Sequence, residues 1–160
     1  MIGHHASGAR IPGLVIRTVR ERDLAPVSEL DRLVFGRLRY PHFVLRQLLD
    51  LHRDHWLIAA RGTALCGYGL AVPSSDRRSG WLLGLCVHPD HRRLGLGLVL
   101  LTRSLDQLWL ASVRIVRVTV KPGSGAVRLY QSVGFRAEKA VRDYLGPGED
   151  RVIMALRRDR

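Results

Sequence analysis

The stretch from Trp81 to Leu110 constrains this chain most, because it joins an apolar run to an amphipathic one through a basic turn holding two glycines. Trp81-Leu82-Leu83-Gly84-Leu85-Cys86-Val87 is short and nearly unbroken in its apolar character, which predicts a strand buried on both faces. Beyond it, Leu94, Leu98, Leu101, Leu105 and Leu108 recur at helical spacing, so a helix is expected to start at about the turn and to pack one stripe on a core. A helix start presents unpaired backbone N–H groups and the positive end of the macrodipole. Gly95 and Gly97 remove side chains that would keep a phosphate away, and Arg92 and Arg93 add charge. The turn is therefore an anion site in outline. It is not a dinucleotide fingerprint, since no third glycine follows at position 100, and no Gly-Lys-Ser/Thr follows that would make a P-loop.

The remaining segments alternate. Leu14–Val19 reads as a strand, Glu21–Phe35 and Phe43–Leu51 as helices, and Trp56–Ala60 and Ala64–Val72 as a hairpin turned by Arg61-Gly62-Thr63. Val113–Val120 is rich in β-branched residues and is stopped by Lys121-Pro122-Gly123. Ser124 is placed to cap a helix over 125–133, Gly134 suits the position after it, and Phe135–Val141 and Arg151–Leu156 give two last strands. The order β-α-α-β-β-β-α-β-α-β-β predicts an α/β (α+β) fold with a single mixed, mostly antiparallel central sheet flanked by helices.

Two motifs in order carry a resemblance. Val87-x-Pro89-x-x-Arg92-x-x-Gly95-x-Gly97 resembles the acyl-CoA pyrophosphate loop of the GNAT superfamily of N-acetyltransferases. Ala126-Val127-Arg128-Leu129-Tyr130-Gln131-Ser132-Val133-Gly134-Phe135 is similar to that superfamily's next motif, in which a helix carrying Leu-Tyr ends at Gly-Phe. Within the superfamily, Arg142-Asp143-Tyr144 and the ending Glu149–Leu156 are most similar to the ribosomal-protein-alanine N-acetyltransferases. The resemblance implies a GNAT-like fold and acetyl transfer from acetyl-CoA, as cosubstrate, to an amine. It places the cofactor-binding residues at Leu85, Cys86, Val87, Arg92, Arg93, Leu94, Gly95, Leu96, Gly97 and Leu98, with the pantetheine along the strand. A backbone N–H there would meet the oxyanion formed when the amine attacks. It places the leaving-group acid, the catalytic residue, at Tyr130. Two features depart from the pattern: Thr119 stands where the ribosomal-protein-alanine enzymes carry a glutamate, which leaves His42, Glu149 or a held water as base, and the asparagine usual near the start of the tyrosine helix is missing, replaced within Lys121-Pro122-Gly123-Ser124.

A chain of 160 residues is about one domain, expected over residues 13–160 behind a flexible tail at 1–12. Cys66 and Cys86 lie in apolar surroundings and are expected to be reduced, buried thiols of a cytoplasmic protein, since no secretory leader or membrane span is evident. Cys86-x-His88-x-x-His91 has too few well-spaced ligands for structural zinc, so no metal is expected. The formal charge of +12 exceeds what one cofactor's phosphates require, which points to an acidic or RNA-associated partner. Other expected partners are acetyl-CoA and an amine acceptor, a protein or peptide N-terminal or lysine amine; a homodimer is compatible, and no membrane is expected. A small amine, aminoacyl-tRNA, or a non-catalytic acyl-CoA or nucleic-acid binding module are the alternatives.

Overall fold

The computed structural model describes residues 11–158. Seven strands form one mixed sheet in the order β1-β2-β3-β4-β5-β7-β6, flanked by helices: β1 Leu14–Thr18, β2 Trp56–Arg61, β3 Ala64–Pro73, β4 Ser79–Val87, β5 Ile115–Val120, β6 Arg136–Val141 and β7 Arg151–Arg157. The helices are α1 Leu24–Phe35, α2 His42–His52, α3 Leu96–Leu110 and α4 Ala126–Ser132. The chain groups into two compact units, one of residues up to Leu70 with Gly84–Ser104, the other of Ala71–Leu83 with Leu105 onward. Among the described residues no helix is long and apolar enough to cross a membrane.

In the first unit, β1 and β2 pair antiparallel from Leu14↔Arg61 to Thr18↔Leu57, and β2 continues into β3 through the expected Gly62 turn, whose φ of +59° suits a residue without a Cβ. The expected tail over 1–12 lies outside the described residues except at its end, and there Ile11 is buried against Leu57, Ala59, Cys66, Leu96 and Leu100. Asp23 accepts both guanidinium nitrogens of Arg17, at 2.7 and 2.8 Å, and the Arg20 amide at 2.7 Å, fixing the short 3-10 turn Glu21–Asp23 that leads into α1. Burial would raise the Asp23 carboxyl, but these donors outweigh it and hold the group below its ordinary value of 3.8.

α1 buries Leu24, Val27, Leu30 and, at the same stripe, Asp31. Asp31 is fully buried, accepting the Tyr68 hydroxyl and, at 2.8 Å, the Tyr40 amide. One carboxylate therefore ties α1 to β3 and to the turn before α2. Burial raises its pKa above 3.8 despite those two donors. The folded state then holds a proton that the unfolded chain has released, so Asp31 makes stability fall as pH rises from 3.8 through its raised pKa. Asp31→Asn is expected to remove this falling component: the loss of stability between pH 4 and pH 7, measured by urea unfolding, should shrink relative to the parent.

β4 is buried alternately rather than on both faces, as the apolar run had suggested: Gly80, Leu82, Gly84 and Cys86 are buried, and the residues between them are half-buried. Unbroken hydrophobicity concealed a period of two, because the second face is apolar but only partly covered. Pairing with β5 is parallel, over Ser79–Trp81 against Ile115–Arg117. The leucine stripe of α3 is also shifted: Leu96, Leu100, Leu101, Leu105 and Leu108 are buried, while Leu94 precedes the helix at 48% exposure and Leu98 is 36% exposed.

In the second unit β5 pairs β7 along its full length, Ile115↔Arg157 to Val120↔Val152, and β6 covers the far side of β7. Ser124 does not cap α4: its Oγ is buried without a hydrogen-bond partner, and Gly125 occupies the cap position. The other end follows expectation, with Gly134 at φ +102° and the Gly134 and Phe135 amides donating to the Gln131 and Tyr130 carbonyls at 3.0 Å each.

Candidate functional site

The turn between β4 and α3 is built from the backbone up. The His88 amide donates to the Cys66 carbonyl at 2.8 Å, carrying β4 past its end, and the Pro89–His91 turn begins with the Asp90 amide donating to His88 Nδ1 at 3.2 Å. Arg92 is extended (φ −71°, ψ 159°), Arg93 is left-handed at φ +64°, and Gly95 is left-handed at φ +77°. Left-handed backbone within a turn is a conformation in which successive N–H groups can line a concavity for an anion. The Val99 amide donates to the Gly95 carbonyl at 3.1 Å, so the amides of Leu96, Gly97 and Leu98 precede the helical ladder.

Both arginines of the turn are exposed. Arg92 folds back, its Nε donating to the Val87 carbonyl at 3.4 Å, which leaves its terminal nitrogens for a ligand. The predicted residues Leu85, Cys86, Val87 and Arg92–Leu98 thus stand together in the first unit. Within the strand they divide by face. Leu85 and Val87 pack toward the cluster containing Leu96 and Leu100. Cys86 is 2% exposed, and burial, with Asp31 adding to it, pushes its thiol up to about 12. Such a thiol is not a nucleophile at neutral pH.

Tyr130 belongs to the second unit, on α4, edge-on to Phe135 with ring centroids 5.5 Å apart. It is 6% exposed, and burial pushes its phenol up to about 12. It therefore keeps its proton across the neutral range. Arg151 is buried and donates to Glu149 at 3.2 Å, whereas His42 is exposed at the first residue of α2. Thr119 is half-buried on β5 opposite Ile153.

The sequence reading missed Asp31 and its partners Tyr68 and Tyr40. One signal was available: Asp31 lies four residues after Val27, on the apolar stripe of α1, where an acid implies a buried partner. Phe35, Leu38 and Phe43 are exposed at 40%, 37% and 66% around the turn that this carboxylate anchors.

The sequence profile described as "Acetyltransferase (GNAT) family" matches residues 24–135. An N-alpha-acetyltransferase of Sulfurisphaera tokodaii is 26% identical over 153 residues, covering 88% of this chain and 90% of that protein. The [ribosomal protein bS18]-alanine N-acetyltransferase of Escherichia coli K12 is 35% identical over 79 residues, covering 47% of this chain and 53% of its own length. Among solved structures, Ard1 from Thermoplasma volcanium superposes with a TM-score of 0.84 at 18% identity, over 92% of this chain and 99% of that one. Arabidopsis thaliana Naa50, in complex with the bisubstrate analogue CoA-Ac-MVNAL, gives 0.77 at 17% identity, over 90% and 98%.

Proposed function

The chain belongs to the acetyltransferase (GNAT) family, and from that premise we propose that this acetyl-CoA-dependent N-acetyltransferase acts on the α-amine at the N-terminus of a protein or peptide. The observation that carries this acceptor is the exposed apolar set Phe35, Leu38 and Phe43 around the turn pinned by Asp31. A peptide offers side chains to such a surface, and a small polycationic amine does not. Near full-length likeness to an N-alpha-acetyltransferase, and the fold shared with Ard1 and Naa50, support the same choice.

Bound acetyl-CoA supplies an activated acetyl thioester. The amides of Leu96, Gly97 and Leu98 and the guanidiniums of Arg92 and Arg93 hold its phosphates, which left-handed Arg93 and Gly95 expose to solvent as one cradle. The backbone of Leu85–Val87 orients the acyl arm and donates to the carbonyl oxygen as it gains charge. Tyr130 donates a hydrogen bond to the departing sulfur. Because its phenol, at about 12, is a weaker acid than an ordinary thiol at about 8.5, it stabilises the thiolate without giving the proton up outright. His42 is exposed at the start of α2 and Glu149 is engaged by Arg151, so His42 is assigned the relay that takes the amine's proton.

Incubating the protein with acetyl-CoA and a panel of free N-terminal peptides, their N-blocked lysine counterparts, a polyamine and aminoacyl-tRNA tests the acceptor. Mass spectrometry should find the acetyl group on peptide α-amines. Acetylation confined to the polyamine or the aminoacyl-tRNA would overturn the assignment. Arg93→Ala is expected to weaken acetyl-CoA binding about tenfold by calorimetry, roughly 1.4 kcal/mol, as one exposed charge-assisted contact is lost.

A further inference from the structure

Six arginines of the second unit gather at one end of the sheet. Arg77, Arg78, Arg114 and Arg117 line a groove of about 870 Å3, and a second of about 640 Å3 shares Arg114 and adds Arg157 and Arg158. They come from three separate segments: the turn between β3 and β4, the entry to β5, and the end of β7. The backbone beneath them is fixed. The Arg78 carbonyl accepts the Arg114 and Ile115 amides at 2.7 and 3.2 Å, and Asp76 accepts the Arg78 and Ser79 amides at 2.9 Å each.

Charge in the groove is only partly balanced. Glu138 holds Arg117 at 2.9 Å and Arg157 at 3.5 Å. Asp76 also lines the groove and its carboxylate feels the charge of Arg78, but among the described residues no carboxylate comes within ion-pair distance of Arg77, Arg78 or Arg114, all of which are exposed. Arg158 lies over the Trp109 ring at 5.9 Å, its Nη1 donating to the Trp109 carbonyl at 2.9 Å.

We propose that this groove docks the phosphodiester backbone of a nucleic acid. Guanidinium forks match phosphate oxygens two at a time, and all but Lys121 and Lys139 of the chain's 26 basic residues are arginine. The lining also disfavours a protein partner. Ile115 is the apolar side chain among the groove's lining residues, and it is half-buried, so the apolar anchor pockets on which protein interfaces depend are missing from this lining. Backbone contact with a polyanion requires only charges at the right places, and its free energy comes from released counterions. The groove and the β4–α3 turn share no residue.

The test is fluorescence anisotropy of a labelled 20-nucleotide single-stranded RNA, and of DNA of the same sequence, titrated with the full chain across a salt series. Arg77→Ala/Arg114→Ala is compared with Arg103→Ala, an exposed change on α3 of the same charge per site. Removing two phosphate contacts should lower the slope of log affinity against log salt by about 1.4, the value for single strands, while Arg103→Ala leaves it unchanged. Binding of RNA and DNA alike, or of RNA preferentially, supports backbone docking, the second outcome adding a 2′-hydroxyl contact. An unchanged slope in the double variant would overturn the proposal. So would competition by an oligoglutamate of equal charge as strong as by RNA, which would assign the groove to an acidic protein segment. Acetyl-CoA affinity of the double variant should match the parent, so failure here leaves the acetyltransferase reading standing.

Discussion

Gly97→Val is expected to weaken acetyl-CoA binding by about 10²- to 10⁴-fold in calorimetry while the thermal unfolding midpoint stays near that of the parent. Gly97 lies in the first turn of α3, where its backbone is right-handed and accepts a side chain without strain. The backbone therefore does not oppose the change, and the expected cost is to the ligand. A branched Cβ beside the amides of Leu96–Leu98 keeps a phosphate from approaching them, and the loss of about two charge-assisted hydrogen bonds, each worth roughly 1.5–3 kcal/mol, gives that range. Gly95 would be the poorer choice of variant. At φ +77° any side chain there strains the turn itself, so lost binding would not be separable from a distorted backbone. Native affinity in Gly97→Val would move the cosubstrate away from this turn.

The second large effect is on turnover. Tyr130→Phe keeps the ring that packs edge-on against Phe135, so folding should be preserved. Removing the hydroxyl takes away one hydrogen bond to a developing thiolate, worth about 1.5–3 kcal/mol, and kcat should fall about 10- to 10²-fold with acetyl-CoA affinity within a few-fold. The pH dependence adds an independent check. With the phenol pushed up to about 12, the parent should show no limb from Tyr130 anywhere in the neutral range, because the group is protonated throughout it. A rate limb near pH 8 that disappears in the Phe variant would contradict this picture, as would unaltered kcat on a genuine peptide acceptor.

Much of the architecture was legible because its signals are local. The hairpin at Arg61-Gly62-Thr63, the breaker at Lys121-Pro122-Gly123 and the glycine after α4 each depend on a few neighbouring residues. The strand–turn–helix unit around Arg92 was legible for the same reason. The phase of α3 was not: leucine occupies so many of its positions that several stripes fit the periodicity, and packing chose the one through Leu96 and Leu100. The Asp31 centre depends on Tyr68, 37 residues away, and on a main-chain amide nine residues away, neither of which a spacing rule reveals. The arginine groove is assembled from segments near residues 77, 114 and 157, and in sequence its members look like ordinary solvated charges.

Cys66 and Cys86 are the chain's two cysteines, both unpaired, 0% and 2% exposed, with burial raising both thiols. A disulfide reagent added to the folded protein meets two thiols that burial both shields and holds toward the protonated form, so colour develops from coenzyme A set free by turnover. Every turnover is then countable in real time, without a protein blank that grows during the run. The same reagent becomes a clock for unfolding: if a variant opens, two protein thiols per chain appear as a burst that coenzyme A release cannot mimic.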